Sequence, residues 1–294
     1  MTQHGRQTIL FVGSGDLAAR TAAALRVPAR CLGLCRHPRQ LPSALEGLSG
    51  DYTRDDGFAA LSSLRPDTVV LTLKPDGRDT DAYQRGFLLP TQRLLAALGE
   101  HRPCRVLFVS STRVYAESDG GWVDESAPLA QGQSPAAMIA EAERVLLASA
   151  HPATILRCAG LYGAGDGMLP ARIRRGELSP ESPLRYGNRV HREDAAGFIA
   201  WLIEQECKGR QILDCYNVVD DDPAPQHEVD RWLASAMAVT APKVPKASSA
   251  RDLRGHKRVS NHRLRASGYV LQYPDFRSGY AAALGLDHVG APTC

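Results

Sequence analysis

The densest chemistry in the sequence is a short run of small residues, Gly13-Ser14-Gly15-Asp16-Leu17-Ala18, set directly after an apolar stretch and directly before a helical pattern. A glycine at the first position permits a tight turn, and one at the third lets backbone approach a pyrophosphate with no Cβ between. The small Ala18 lets strand and helix pack closely. Amides at the start of the following helix then point at the phosphates. Gly13, Ser14, Gly15, Asp16 and Leu17 therefore read as a dinucleotide-binding turn. About twenty residues on, where a site for NAD carries an acidic residue for the ribose, this chain reads Cys35-Arg36-His37-Pro38-Arg39. Arg36 and Arg39 offer planar guanidinium forks where a 2′-phosphate would sit, so NADP is expected ahead of NAD. Asp51, after the next short apolar stretch, is a candidate for the adenine, and Leu73 and Ser110, which close two later apolar runs, complete the expected cofactor set.

These residues need elements to hold them. Apolar runs rich in Val, Ile and Leu recur at Thr8 to Val12, Arg30 to Cys35, Thr68 to Leu73 and Arg105 to Ser110. Lacking polar alternation, they read as strands buried on both faces, the habit of a parallel sheet covered by helices. Leu17 to Leu25, Thr80 to Leu98 and Ala136 to Ala148 carry apolar residues at helical spacing and fit the crossovers. Ala153 to Arg157 and Ile212 to Val218 read as further strands, and Glu193 to Gln205 as a helix. Gly, Pro and Arg crowd Tyr162 to Asn188 and predict a stretch without regular structure. Val239 to Ser249, rich in Ala, Pro, Lys and Ser, reads as a linker or loop. The expected architecture is α/β, a Rossmann doubly wound parallel sheet with a small C-terminal substrate-binding cap. Residues 1–165 form the NAD(P)-binding domain, with a return of the chain at about 188–220, and 166–187 with 221–294 form the cap.

With 294 residues, 44% of them hydrophobic, the chain can bury a sizeable core. Its 35 basic and 32 acidic residues leave a net charge of +3. That is no field for nucleic acid or an anionic membrane, and a small-molecule substrate is the expected partner. The polar start, Met1 to Gln7, and the short apolar run after it make neither a signal h-region nor a membrane span, so a cytoplasmic location is expected. The seven cysteines (Cys31, Cys35, Cys104, Cys158, Cys207, Cys215 and Cys294) contain no CxxC pair and suit reduced thiols. With no second Cys or His cluster to join Cys31 and Cys35, no metal site is expected.

Several segments, in order, resemble the extended short-chain dehydrogenase/reductase superfamily, in its NAD(P)-dependent epimerase/dehydratase-like branch. Val109-Ser110-Ser111-Thr112-Arg113-Val114-Tyr115 looks like the motif of its fifth strand, and Trp122 to Leu129 like the acidic loop after it. Ile155 to Gly163 is similar to the motif ending in a Tyr-Gly pair, and Asn188 to Ala196 to the Val-His-x-x-Asp turn. Lys257 to Leu284 resembles the closing segment of an atypical branch. The resemblance implies that Ser111 hydrogen-bonds the reacting oxygen. The Asp-Glu pair with which related dehydratases eliminate water is replaced here by Thr112-Arg113, which removes both carboxylates from that route. Arg113 then reads either as a clamp for an anionic substrate or as an outward charge paired with Glu117 or Asp119.

The larger departure concerns the Tyr-x-x-x-Lys pair of the superfamily, in which lysine tunes the phenol for proton transfer. Aligning the later Ala-Glu with Ala142-Glu143 puts Pro135 at the tyrosine position and Ile139 at the lysine position, and no lysine lies between Lys74 and Lys208. Tyr115, Tyr162 and His191 are the remaining candidate donors. In the cap, Arg172, Arg174, Arg175, Arg185, Asn188 and Arg189 lie near the segment that the resemblance places over substrate. They read as a phosphate site or as a solvated face. Tyr162 and Tyr186 are candidates to stack on a sugar or base. Arg113, Tyr162, Asn188 and Arg189 are thus the expected substrate contacts. The resemblance also admits a homodimer through Ala136 to Ala148. Together these features imply an NADP-dependent oxidoreductase or epimerase acting on a small, phosphorylated or nucleotide-linked substrate. The alternative is a non-catalytic NADP(H)-binding sensor.

Overall fold

The computed structural model describes residues 6–164, 167–240 and 255–286. Two compact units divide the chain: Met1–Ala116, Pro128–Arg157 and Ala195–Tyr216 form the first, and Glu117–Ala127, Cys158–Asp194 and Asn217–Cys294 the second. Strands β1 (Gln7–Val12), β2 (Ala29–Cys35), β3 (Glu46–Ser49), β4 (Thr68–Leu71), β5 (Arg105–Ser111), β7 (Ala153–Cys158) and β10 (Cys215–Val218) make a seven-stranded sheet in the order β10-β7-β5-β4-β1-β2-β3. From β3 to β5 every neighbouring pair is parallel, with Val12 beside Leu34 and Leu71, and Leu71 beside Phe108. All carboxyl ends therefore reach one edge, and the strand order reverses beside β1, which is where doubly wound sheets bind ligands.

The strands form because their Val, Ile, Leu and Phe residues are buried on both faces: Leu10, Val12, Val69, Leu71, Val106 and Phe108 join one core with Leu94, Ile139 and Leu146 from the covering helices. The helices of this unit are α1 (Asp16–Ala24), α2 (Thr80–Tyr83), α3 (Leu89–Leu98), α4 (Pro135–Leu147) and α6 (Arg192–Cys207), the last of which begins in the second unit. The single helix expected over Thr80 to Leu98 is interrupted by a π-helical turn, Gln84–Leu88. Pro90 has no amide to continue the α pattern, and the Leu89 amide reaches back to the Gln84 carbonyl. Gly86 fits against the chain here, since a Cβ would stand 2.6 Å from the Pro75 Cα.

In the second unit β6 (Trp122–Val123) pairs with β11 (Arg258–Val259), and β8 (Gly160–Tyr162) with β9 (Arg189–His191), both in parallel. Helices α5 (Met168–Arg174), α7 (Gln226–Ala236), α8 (His262–Ala266) and α9 (Phe276–Leu284) complete it. Ile173, Val229, Leu233, Phe276 and Tyr280 form its own core. Helix α5 lies inside the stretch expected to lack regular structure. Its Pro170 falls in the first turn, where a missing amide costs nothing. Of the linker expected at Val239 to Ser249, residues 241–249 lie outside the described residues, as does Cys294. Among the described residues no helix is long and apolar enough to cross a membrane.

Candidate cofactor site and its neighbours

Strand β1 ends at Gly13, whose φ of +86° is a region L side chains rarely adopt. A Cβ here would also stand 2.5 Å from the Thr72 carbonyl oxygen, so the turn requires glycine twice over. The Thr72 hydroxyl donates to the Gly13 carbonyl, and the Ser14 hydroxyl donates to Leu34 O at 3.3 Å. Ser14 therefore spends its side chain on fastening the turn and offers a ligand only backbone. Gly15 differs from Gly13: it caps α1 with no side-chain bond, and a Cβ on it would meet nothing within 4 Å. The first amides of α1 have no side-chain cap and lie beside that open space, an arrangement that takes an anion. Ala18 is fully buried beneath the helix. Leu17 is half-buried, and Asp16 turns along α1 to pair with Arg20 at 2.9 Å.

Arg36 and Arg39 stand exposed just beyond β2. Asp51 accepts from the Thr53 amide at 3.0 Å and from its hydroxyl at 2.6 Å. Burial raises the Asp51 pKa, but those bonds and the charges of Arg36 and Arg54 outweigh it and hold the carboxyl below its usual range. Its bonded oxygen shapes a turn. Open amides after β1 and free-standing guanidinium groups after β2 fit a dinucleotide carrying a further phosphate.

At the end of β5 two adjacent serines part ways. Ser110 is buried and donates to the Glu143 carboxylate, while Glu143 also takes bonds of 3.1 Å and 2.8 Å from the Arg157 guanidinium. Arg157 in turn donates to the Tyr115 phenol at 3.1 Å and lies over its ring. Burial alone would lower the Arg157 pKa, yet Glu143 raises it above its ordinary value. Ser110 and Leu73 are buried, Ser110 with its hydroxyl on Glu143, and Tyr115, 3% exposed with its oxygen taken by Arg157, joins the same buried network. Sequence reading passed over Glu143 and Arg157. The usable signal was a charged residue on the apolar face of a helix and another inside the buried run of β7.

Ser111 remains half-buried at the strand end, where its oxygen accepts the Arg113 amide at 3.2 Å and its hydrogen is left to donate. The Arg113 guanidinium donates to the Tyr83 phenol at 2.8 Å and lies over that ring. Pro135 opens α4 behind the Ser134 cap, and Ile139 is buried in the core. Neither position of the expected acid–base pair carries a titratable group.

In the second unit the remaining candidates hold their own fold. His191 accepts the Glu193 amide on Nδ1 at 3.3 Å and packs against Tyr162 and Tyr273. Tyr162 donates to Asp275 O at 3.2 Å, and burial pushes its pKa up, which removes it from neutral-pH proton transfer. Asn188 donates to Lys257 O and accepts from the Val259 amide, each at 2.9 Å. Arg189 is buried over the Phe276 ring, Arg172 forks onto Asp230, and Tyr186 stacks on His256 and Arg258. Tyr162, Asn188 and Arg189, expected to meet substrate, thus each make contacts within this unit.

With that geometry in view, residues 13–206 match a family model described as NAD(P)H-binding. Protein YeeZ of Escherichia coli K12 is 29% identical over 258 residues, covering 78% of this chain and 88% of its own. The 3-diazoavenalumate denitrifying reductase of a Streptomyces species is 29% identical over 276 residues, covering 84% and 89%. A Methylobacillus flagellatus structure, described as a candidate NAD-dependent epimerase/dehydratase, is 33% identical, covers 96% of this chain and 98% of its own, and superposes with a TM-score of 0.77.

Proposed function

The chain belongs to the NAD(P)H-binding family, within the extended short-chain dehydrogenase/reductase superfamily, and from that premise we propose that it is an NADP-dependent oxidoreductase or epimerase acting on a small carbonyl or alcohol substrate. The observation that carries the reading is the pairing of an open glycine turn, at Gly13 to Leu17, with Arg36 and Arg39 exposed at the end of the neighbouring strand. Amides of the turn hold the pyrophosphate, and the two guanidinium groups take the 2′-phosphate, for which their planar forks are suited. When bound, a reduced nicotinamide supplies a hydride equivalent to an electrophilic carbon. The Ser111 hydroxyl orients the oxygen on that carbon, because it lies at the carboxyl edge of β5 with its hydrogen uncommitted. The reductase name of the Streptomyces relative agrees with this chemistry.

The test is titration of the protein with NADPH and with NADH, followed by cofactor fluorescence, in the natural chain and in Arg36→Ala. NADPH should bind more tightly than NADH, and the variant should lose about tenfold for NADPH and little for NADH, about 1.4 kcal/mol. Equal affinities in both proteins would remove NADP preference from the account. A non-catalytic NADP(H) sensor is the second reading, favoured by the placement of Pro135 and Ile139 where the acid–base pair is expected. NADPH consumption with a panel of small carbonyl compounds separates the two.

A further inference from the structure

A reduction that adds hydrogen to a carbonyl carbon also needs a proton for its oxygen, and the usual tyrosine is missing. We propose that Tyr83 supplies that proton, with Arg113 as the residue that positions it and holds the charge left behind. This rests on the cofactor reading above.

Four phenols lie in the first unit, and three are committed elsewhere. Tyr115 is buried on Arg157. Tyr216 is buried and accepts the Leu213 amide. Tyr52 has its pKa pushed up by burial, against the bond it accepts from the Lys74 amide. Tyr83 alone of the four is half-buried with its oxygen on an exposed cation. The bond at 2.8 Å from Arg113 Nη1 occupies one lone pair, so the phenol keeps its own hydrogen for a substrate.

Its place in the fold is the second argument. Strands β4 and β5 are parallel neighbours, with Leu71 beside Phe108. The chain leaving β4 leads to α2 and Tyr83, and the chain leaving β5 leads to Ser111 and Arg113. Both sets of residues follow carboxyl ends on the ligand-binding edge, and Thr72, next after β4, touches the glycine turn. Helix α2 packs against α4, the helix on which the superfamily keeps its tyrosine and lysine. A phenol from a helix packed on α4 and a guanidinium from the β5 turn, which also packs on α4, thus bring chemistry to the helix whose Pro135 and Ile139 carry none.

The third argument is rigidity. The Tyr83 ring stacks on Phe87 with centroids 5.6 Å apart, and the Arg113 guanidinium covers it at 5.4 Å. Phe87 belongs to the π-helical turn that follows Tyr83 directly, a feature that marks functional sites more often than chance. Asp79 caps α2 by accepting the Ala82 amide at 2.7 Å. The side chain is held by two partners, and only one of them is polar.

In the step, the Tyr83 O–H bond breaks and its proton forms the new O–H bond on the substrate oxygen. The reduced nicotinamide, as reductant, supplies the hydrogen and electron pair gained by the carbon. The phenolate is held by the Arg113 guanidinium as a charge-assisted bond and recovers a proton from water. In the reverse direction Tyr83 accepts the proton of an alcohol. Arg113 is a positioning residue here, holding the Tyr83 oxygen by one hydrogen bond and covering its ring.

The experiment reads the phenol without needing a substrate. Tetranitromethane nitrates phenolates, and peptide mass spectrometry reports which tyrosine reacts. In the natural chain Tyr83 should nitrate faster than the buried Tyr115 and Tyr216. Saturating NADP should slow it several-fold. Arg113→Met should slow it similarly, and Arg113→Lys should restore most of the rate. Thermal melts on both variants show that each is folded. Nitration of Tyr83 that ignores NADP and is unchanged in Arg113→Met, in a protein that binds NADPH by fluorescence, overturns the proposal and leaves the cofactor reading standing. Absence of NADPH binding overturns that reading and the proposal with it.

Discussion

The two units carry family-like motifs equally well but use them for opposite ends. In the first, the groups that matter to a ligand are left open: a Cβ on Gly15 meets nothing, Arg36 is exposed, and Ser111 keeps a hydrogen to give. In the second, His191, Asp194 and Asn188 are committed to backbone amides and carbonyls of their own unit, with Asp194 accepting from Gln272 at 2.6 Å and Tyr273 at 2.9 Å. A motif gives residue types in order; hydrogen-bond accounting shows how each side chain is used. Two buried charge sites, one in each unit, also differ. Glu143 and Arg157 saturate each other in the first, together with Ser110 and Tyr115. In the second, Asp220 Oδ2 and Arg189 Nη1 are both buried without a hydrogen-bond partner among the described residues.

The largest effect should come from breaking the saturated pair. Glu143→Ala leaves the Arg157 guanidinium buried without its carboxylate, and should cost about 3–5 kcal/mol in denaturant unfolding. Replacing both residues, as Glu143→Leu with Arg157→Met, should recover most of that loss, because two apolar groups leave no orphan charge. A single variant as stable as the natural chain would show that the network is not closed in the way described.

The unsaturated pair predicts a smaller, pH-dependent effect. Burial raises the Asp220 pKa to about 8, against the opposing pull of Arg189 and the bond from the Asp222 amide. The folded state therefore keeps a proton that the unfolded chain releases near pH 4. This contribution to stability is fully present below the unfolded value and is lost as pH rises through about 8. The unfolding free energy should fall between about pH 4 and about pH 8 by on the order of a few kcal/mol, and Asp220→Asn should flatten the slope. An equal slope in the variant would assign the pH dependence to other groups.

What could be read in advance followed from how local each cause is. The glycine turn was legible because a positive φ and a close approach are properties of one or two residues, and buried strands such as β1 and β4 announce themselves by composition. Strand β3 carries little signal: Glu46 and Ser49 are exposed at a sheet edge, where only Leu48 packs on the core. Val69 and Val70 mark β4, but nothing beside Tyr83 in the chain marks its meeting with Arg113, since 30 residues separate them and a π-helical turn sets the angle. The Glu143–Arg157 pair is hidden for the same reason, because each charge looks misplaced until the other is found beside it. Tyr162 and His191 show the converse, since their types suit proton transfer while nothing local in the sequence announces their burial and their packing on each other.

The central claim is that the open turn of the first unit exists to hold a dinucleotide, and Gly15 isolates it. Gly15 has a φ of −85°, which any residue adopts, and space for a side chain, unlike Gly13, where substitution would strain the fold itself. Calorimetric titration of NADPH into the natural chain and into Gly15→Val tests this most directly. The account predicts one site in the natural chain and an affinity at least about tenfold weaker in the variant, which stays folded with an unfolding free energy lower by no more than about 2 kcal/mol, the cost of a poorer helix cap. Undiminished binding by the folded variant would contradict it.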